Sequence, residues 1–363
     1  MYIKHVSLHR FRTWFFGLIL AAATVFLLMY PAAAATGISR GLSVCASVII
    51  PTLFPFLVIS GLTARSGVAA AIGRRLERPT RRLFGLPGCA APAVLLACIG
   101  GYPAGGAAVA DLVHTGQLTR DEGERMLRFC VCGGPGFILV TVGSRLMNST
   151  PLGLILFAAN LLSAFLIGTI SAPRTARRGG GMTRRPEPVS IAEAFTQSVS
   201  AACQTLLNTC GFVTVFSTVL ALLDACLPSS PALLSCLLEV SCGCIRAATL
   251  REAAPLVLGF TVGFGGLSVH CQIAAAFTGT GVITPRFWVF RVFHGLLTAL
   301  FTVLLLQLIP VTVPVFGMAG GPVAEAFSGG VTVSVFTLIL CGIWLLSVDK
   351  GKGVTYNKTH IST

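Results

Sequence analysis

Runs of about twenty apolar residues recur along the whole of this 363-residue sequence, each long enough to cross a hydrocarbon core of ~30 Å as a helix. Lipid offers no partners for backbone amides and carbonyls, so a chain built this way must satisfy them within helices or a closed barrel. The length of the runs selects helices. Composition agrees: 54% of residues are hydrophobic and 10% charged, against ~25% charged in soluble domains. Apolar segments read at roughly 13–35, 43–65, 86–113, 127–146, 150–172, 200–226, 231–248, 253–278, 286–310 and 331–348. The expectation is an all-α, polytopic membrane helical bundle.

The net charge of +14, from 26 basic and 12 acidic residues, falls in short runs between these segments. Such placement is a topology signal, and no basic stripe interleaved with aromatics suggests a nucleic-acid partner. The N-terminus, the loop Arg65 to Arg82, the linker from Pro173 and the tail with Lys350, Lys352 and Lys358 should be cytoplasmic. The layout expected is an N-terminal transmembrane helix at 1–36, a first repeat at 37–172, a basic flexible linker at 173–199, a second repeat at 200–348 and a cytoplasmic tail at 349–363. The first of these also fits a signal peptide. Thirteen cysteines without a C-x-x-C spacing read as small buried hydrophobes. The alternative is a four-thiolate site from Cys130, Cys132, Cys242 and Cys244; no metal or other cofactor is expected.

Three apolar segments lie between two cytoplasmic stretches, Arg65–Arg82 and the linker, so one of them must be re-entrant. Segment 86–113 is the natural choice, because Gly100-Gly101-Tyr102-Pro103-Ala104-Gly105-Gly106 breaks a helix at its centre. Gly265-Gly266-Leu267-Ser268 breaks segment 253–278, and Gly116-Gln117-Leu118-Thr119 matches Gly281-Val282-Ile283-Thr284 at the same offset of 165 residues. An internal repeat with two re-entrant broken-helix segments follows, and paired broken helices point to a transporter's binding site. Both glycine tetrads should lie on the cytoplasmic side.

Neither a G-x-x-x-x-G-K-[ST] phosphate loop nor an H-E-x-x-H motif is present, so transport should be secondary and no enzymatic reaction is expected. Glu239 stands alone in an apolar segment, where an ionised group is costly unless paired or solvated. It is either a substrate, proton or cation site, or a structural partner for Arg291 or a backbone amide. Arg291 and His294 share a helix face; the arginine fork either meets a carboxylate or snorkels to the membrane edge. His270 reads as a hydrogen-bonded structural residue or a proton carrier, Asp111 as a solvated group or part of the site, and Tyr102 as packing or a stacking surface. The residues expected to bind substrate are Gly101, Tyr102, Pro103, Gly105, Glu239, Ser241, Gly265, Gly266, Ser268, Gln272 and Arg291.

The stretches Ile50-Pro51-Thr52-Leu53-Phe54-Pro55-Phe56, Gly101-Tyr102-Pro103-Ala104-Gly105, Leu118 to Phe129, Leu238-Glu239-Val240-Ser241-Cys242-Gly243 and Phe264 to Gln272 carry a resemblance. In order and spacing they are similar to those of the YlbJ-type sporulation integral membrane proteins, within the wider group bearing the Gate domain of nucleoside and iron transporters. The chain departs from that pattern at Cys130 to Phe137, where such proteins tend to have an asparagine-bearing turn. The resemblance implies a multi-pass protein of the mother-cell or outer forespore membrane that moves a small anionic solute, dipicolinic acid, during endospore formation. It also implies other sporulation membrane proteins as partners beside the lipid bilayer. A structural or assembly protein of the spore envelope is the alternative.

Overall fold

The computed structural model describes residues 2–173, 190–227, 232–309 and 311, with side chains from Thr13 onward. The expected segment 331–348, the tail 349–363 and linker residues 174–189 lie outside the described residues. No β-strand occurs among those described. Helix α1 (Tyr2–Met29) ends where Pro31, at a first helical position, starts α2 (Pro31–Val44), so the first boundary falls at Tyr30 rather than near residue 35. A π-helical turn, Cys45–Ile49, joins α2 to α3 (Ile50–Arg65). Pro51 removes one amide from the α-helical ladder there, and the wider turn keeps the apolar stretch Pro31–Arg65 continuous.

This stretch packs antiparallel on α9 (Ile191–Cys226). Gly37 lies against Thr218, Gly41 against Thr214 and Gly61 against Ser198, while the Cys45 thiol donates to the Cys210 carbonyl at 3.7 Å. Small residues let the two backbones approach closely. The bundle therefore has two ends, one marked by Arg65 and the start of α9, the other by Pro31 and Asp224 near the end of α9.

At the Arg65 end, α4 (Val68–Phe84) crosses at 90° to the segment Gly88–Gly100, which contains α5 (Ala91–Gly100). Gly105 of α6 (Tyr102–His114) lies against Ala97. A straight helix would separate residues eight apart by about 12 Å, so the chain reverses at Gly101. The Arg65–Asp111 ion pair, 3.0 Å, brings the far end of α6 back to the Arg65 end. Thr119 and Glu122 then form the expected capping box of α7 (Arg120–Leu127). An irregular stretch through Gly134 leads to a π-helix, Gly136–Leu146, and then to α8 (Thr150–Ile170).

In the second half, α10 (Ala232–Leu238) and α11 (Val240–Ala248) also fold back on each other. Gly243 sits on the Cys236 backbone, with the reversal at Glu239. An ion pair between Arg246 and Asp224 holds the far end of α11 at the Asp224 end, so this hairpin enters from the opposite side to α5–α6. The next helices, α12 (Ala254–Phe264) and α13 (Gly266–Ala276), continue through Gly265 as one apolar stretch, Arg251–Ala276. Gly106 of α6 faces Ile273, and His114 Nε2 donates to the Ala276 carbonyl at 3.3 Å, so α13 runs beside α6 to the Arg65 end. Last comes α14 (Pro285–Leu308), antiparallel to α12, with Gly259 against Ala299 and Gly263 against Gly295.

Two sequence expectations change. Segment 253–278 crosses instead of re-entering, because α13 packs along α6 rather than back on α12; the second re-entrant hairpin is α10–α11. The order long helix, hairpin, broken span, long helix occurs twice among the described residues and in opposite orientation, with α4 extra in the first half. Gly101 thus corresponds to Glu239 rather than to Gly265-Gly266. The glycine tetrads do lie at one end, where Gly281 meets the Arg120 side chain and Thr284 Oγ1 donates to Glu124 at 3.1 Å.

Among the described residues five helices are long and apolar enough to cross a membrane, six if α4 and the segment after it count as one bent span. The arginines of α4 argue against that sixth span, and the half-helices of the hairpins are too short to be counted.

Candidate functional site

The two hairpin tips meet. Between them lies a cavity of about 310 Å³, near the lower limit of small-ligand pockets. Gly100, Gly101, Tyr102 and Pro103 line it from the first hairpin, and Glu239, Val240 and Ser241 from the second. Thr52 and Phe56 of α3, Thr209 of α9, Gly134 to Phe137, and Val269 and Gln272 of α13 complete the wall. Most of this surface is apolar or backbone, with Glu239 its one acidic or basic side chain.

Each tip rests on a broken span. Gly101 adopts φ 86° and ψ −176°, a conformation open to glycine alone, and lies flat against Gly134. Tip Glu239 lies against Gly266, whose φ of 78° lets its backbone approach the Glu239 and Val240 backbones. No side chain caps the N-terminus of α6; its first amides, at Tyr102 and Ala104, have no helical acceptor. The N-terminus of α11 differs, since the Glu239 carboxylate itself accepts from the Cys242 amide at 2.8 Å. The helix end, with its partial positive charge, holds the carboxylate, which is 1% exposed. Glu239 and Arg291 form no ion pair, so the partner is the backbone amide.

Arg291 is fully buried but stands behind the cavity. The break at Gly265 strands the last carbonyls of α12, and each finds a donor: Thr261 from the Gly265 amide, Val262 from the Tyr102 hydroxyl, Gly263 from Arg291, and Phe264 from His270 Nε2 at 2.9 Å. A cation suits a helix C-terminus, and four acceptors that lipid would leave unpaired are satisfied. Tyr102 therefore ties the first tip to the second broken span, with its ring against Gly265. His294 Nε2 donates to the Asn160 carbonyl at 3.1 Å, and Asn160 Nδ2 to the Gly133 carbonyl at 3.3 Å. An asparagine thus does reach the turn at Cys130 to Phe137, from α8.

Of the eleven expected binding residues, Gly101, Tyr102, Pro103, Glu239, Ser241 and Gln272 line one cavity. Gly265, Gly266 and Arg291 support it from behind. Ser268 accepts from Gln272 Nε2 at 3.1 Å and so orients a lining residue, while Gly105 gives room for the Cys130 carbonyl in the hairpin. Thr52 and Thr209 were not anticipated in the wall; their hydroxyls donate to the Val48 and Thr205 carbonyls of their own helical stretches, and nothing in the apolar segments around them sets them apart. Gly133-Gly134-Pro135-Gly136 is a break legible in the sequence, and Gly134, Pro135 and Gly136 line the cavity. The string Gly37-Ile38-Ser39-Arg40-Gly41 matches the spacing of a nucleophile elbow, which needs a strand-to-helix turn; here it lies within α2, and its glycines serve the contact with α9. Among the described residues no cluster of three or more His, Cys, Asp or Glu side chains could hold a metal ion.

No family model matches the chain, and no solved structure matches it significantly. It is similar to "Sporulation integral membrane protein YlbJ" of Bacillus subtilis (strain 168), with 26% identity over 377 aligned residues covering 92% of this chain and 90% of the relative. With its apolar spans the chain is a multi-pass integral membrane protein, and its similarity to this sporulation protein runs through nearly all of both sequences.

Proposed function

We propose that the protein is a secondary transporter of a small anionic solute in a sporulation membrane, and that Glu239 carries the proton or monovalent cation that moves with it. The observation behind this reading is the meeting of two opposed hairpins at a cavity with one buried carboxylate and no cationic side chain in its wall. The uncapped N-terminus of α6 is the feature that attracts an anion. An ionised Glu239 opposes it: unit charges 5 Å apart at an effective dielectric of ~20 repel by about 3 kcal/mol, more than a hundredfold in affinity. Neutralising Glu239 removes that barrier, which couples entry of the anion to entry of a cation. Opposed hairpins also support kinship with Gate-domain transporters, and the motif resemblance names dipicolinic acid as the solute to try first.

The test is uptake of labelled dipicolinate by liposomes containing the purified protein, under an inward proton or sodium gradient. Accumulation against the dipicolinate gradient is expected for the native chain. With Glu239→Gln, which keeps an acceptor for the Cys242 amide, accumulation should disappear while dipicolinate exchange at equal concentrations persists. Absence of both uptake and exchange in the native chain would favour a structural or assembly role in the spore envelope. Gradient-driven accumulation by the variant would remove Glu239 from the mechanism.

A further inference from the structure

Helix α4 has no counterpart among the described residues of the second half, and nothing in the proposed transport cycle uses it. It begins after Gly67 and ends at Gly85, both in the left-handed region, and lies at 90° to the segment that leads into the first hairpin. One face, Ala69, Gly73, Thr80 and Phe84, is buried; Gly73 packs on the Cys89 backbone. The Glu77 carboxylate accepts from the Gly88 amide at 2.6 Å, fixing the helix to the base of the hairpin.

Much of the rest of the helix is exposed. At 3.6 residues per turn, Val68, Ile72 and Leu83 share one flank, exposed by 43%, 38% and 49%. Arg74, Arg75, Arg78, Arg81 and Arg82 occupy the other, all exposed. Arg81 pairs with Glu77; the other four have no acidic partner among the described residues. An apolar strip beside an arginine face, on a helix at 90° to the segment that enters the first hairpin, is the form of an interfacial helix. Excess positive charge assigns this end to the cytoplasmic leaflet, where anionic lipids concentrate.

We infer that α4 is a binding surface for anionic phospholipid headgroups, with Val68, Ile72 and Leu83 set into the acyl boundary and the unpaired arginines on phosphates. A soluble protein partner would leave the apolar strip facing lipid without need of the arginines. A nucleic acid would leave the strip unexplained. Through Glu77 and Gly73 the bound lipid holds the base of the hairpin whose tip, Gly101, lines the cavity.

The experiment compares thermal unfolding of the full-length protein in detergent with added phosphatidylglycerol, phosphatidylcholine or inorganic phosphate. Phosphatidylglycerol should raise the melting temperature at concentrations at least tenfold lower than phosphatidylcholine, an effect that weakens with salt; inorganic phosphate should not reproduce it. Replacing Arg74, Arg75, Arg78 and Arg82 together by Gln should abolish the preference, and replacing them by Lys should retain most of it. Equal response of the native protein to both lipids, or full effect from inorganic phosphate, would overturn the proposal without any variant. So would a Gln variant that folds and keeps the preference.

Discussion

The two hairpin tips perform the same reversal with different chemistry. At Gly101 the backbone turns through a conformation that a side chain would forbid, and no side chain caps the start of α6. At Glu239 the backbone is extended, φ −146° and ψ 126°, which any residue adopts, and the carboxylate fills its own helix end. The difference makes the two tips chemically unlike, with an uncapped helix start at one and a capping carboxyl group at the other. That contrast is what the proposed coupling of anion and cation rests on.

Substitutions at the tips should break this comparison unequally. Gly101→Ala places a Cβ in a backbone region that strains by on the order of 3 kcal/mol, against Gly134 at 3.2 Å. We expect the largest fall in melting temperature in detergent from this change; an unchanged value would show that the first tip can turn another way. Glu239→Ala loses only a helix cap, about 1 kcal/mol, and should fall less, with Glu239→Gln close to the native value. Equal losses at the two positions would mean that the tips are not chemically distinct.

The smallest effects should come from the ion pairs that hold the hairpins at their own ends. The pair Arg65–Asp111 is partly exposed, as is Arg246–Asp224, so each contributes about 1 kcal/mol or less. Asp111→Asn and Asp224→Asn should therefore barely change stability. They should, however, shift access in opposite directions. A cysteine introduced at Thr209, in a background with the native cysteines replaced, should label faster from the Arg65 end in the first variant and from the Asp224 end in the second. Identical labelling changes would show that the pairs do not act as separate latches.

Legibility in the sequence followed chemistry that acts locally. Gly101 and Gly265 announced breaks because glycine and proline lower helix stability wherever they stand, and Thr119 with Glu122 announced a helix start because a capping box closes within four residues. The solitary charge of Glu239 drew attention for an energetic reason that needs no neighbours. Its break, however, was invisible: Leu238-Glu239-Val240 contains no helix breaker, and the reversal depends on Gly243 folding onto Cys236. Arg291 misled because a buried arginine resembles an anion site until the stranded carbonyls of α12 are known to lie beside it.

The amino-acid order by itself determined that the chain is helical and membrane-embedded, where two of its breaks fall, which end carries the positive charge, and that an isolated carboxylate must find a partner. These depend on hydrophobic run length, backbone preference and desolvation, which act within one segment. Only the tertiary structure decided which broken segment turns back and which continues, that Gly101 answers to Glu239, and that the arginine caps a helix while the carboxylate faces the cavity. Those outcomes turn on which surfaces pack together, as α13 on α6 and α10 on α11. Packing energies come from pairs of segments far apart in the chain, which no single apolar run can specify.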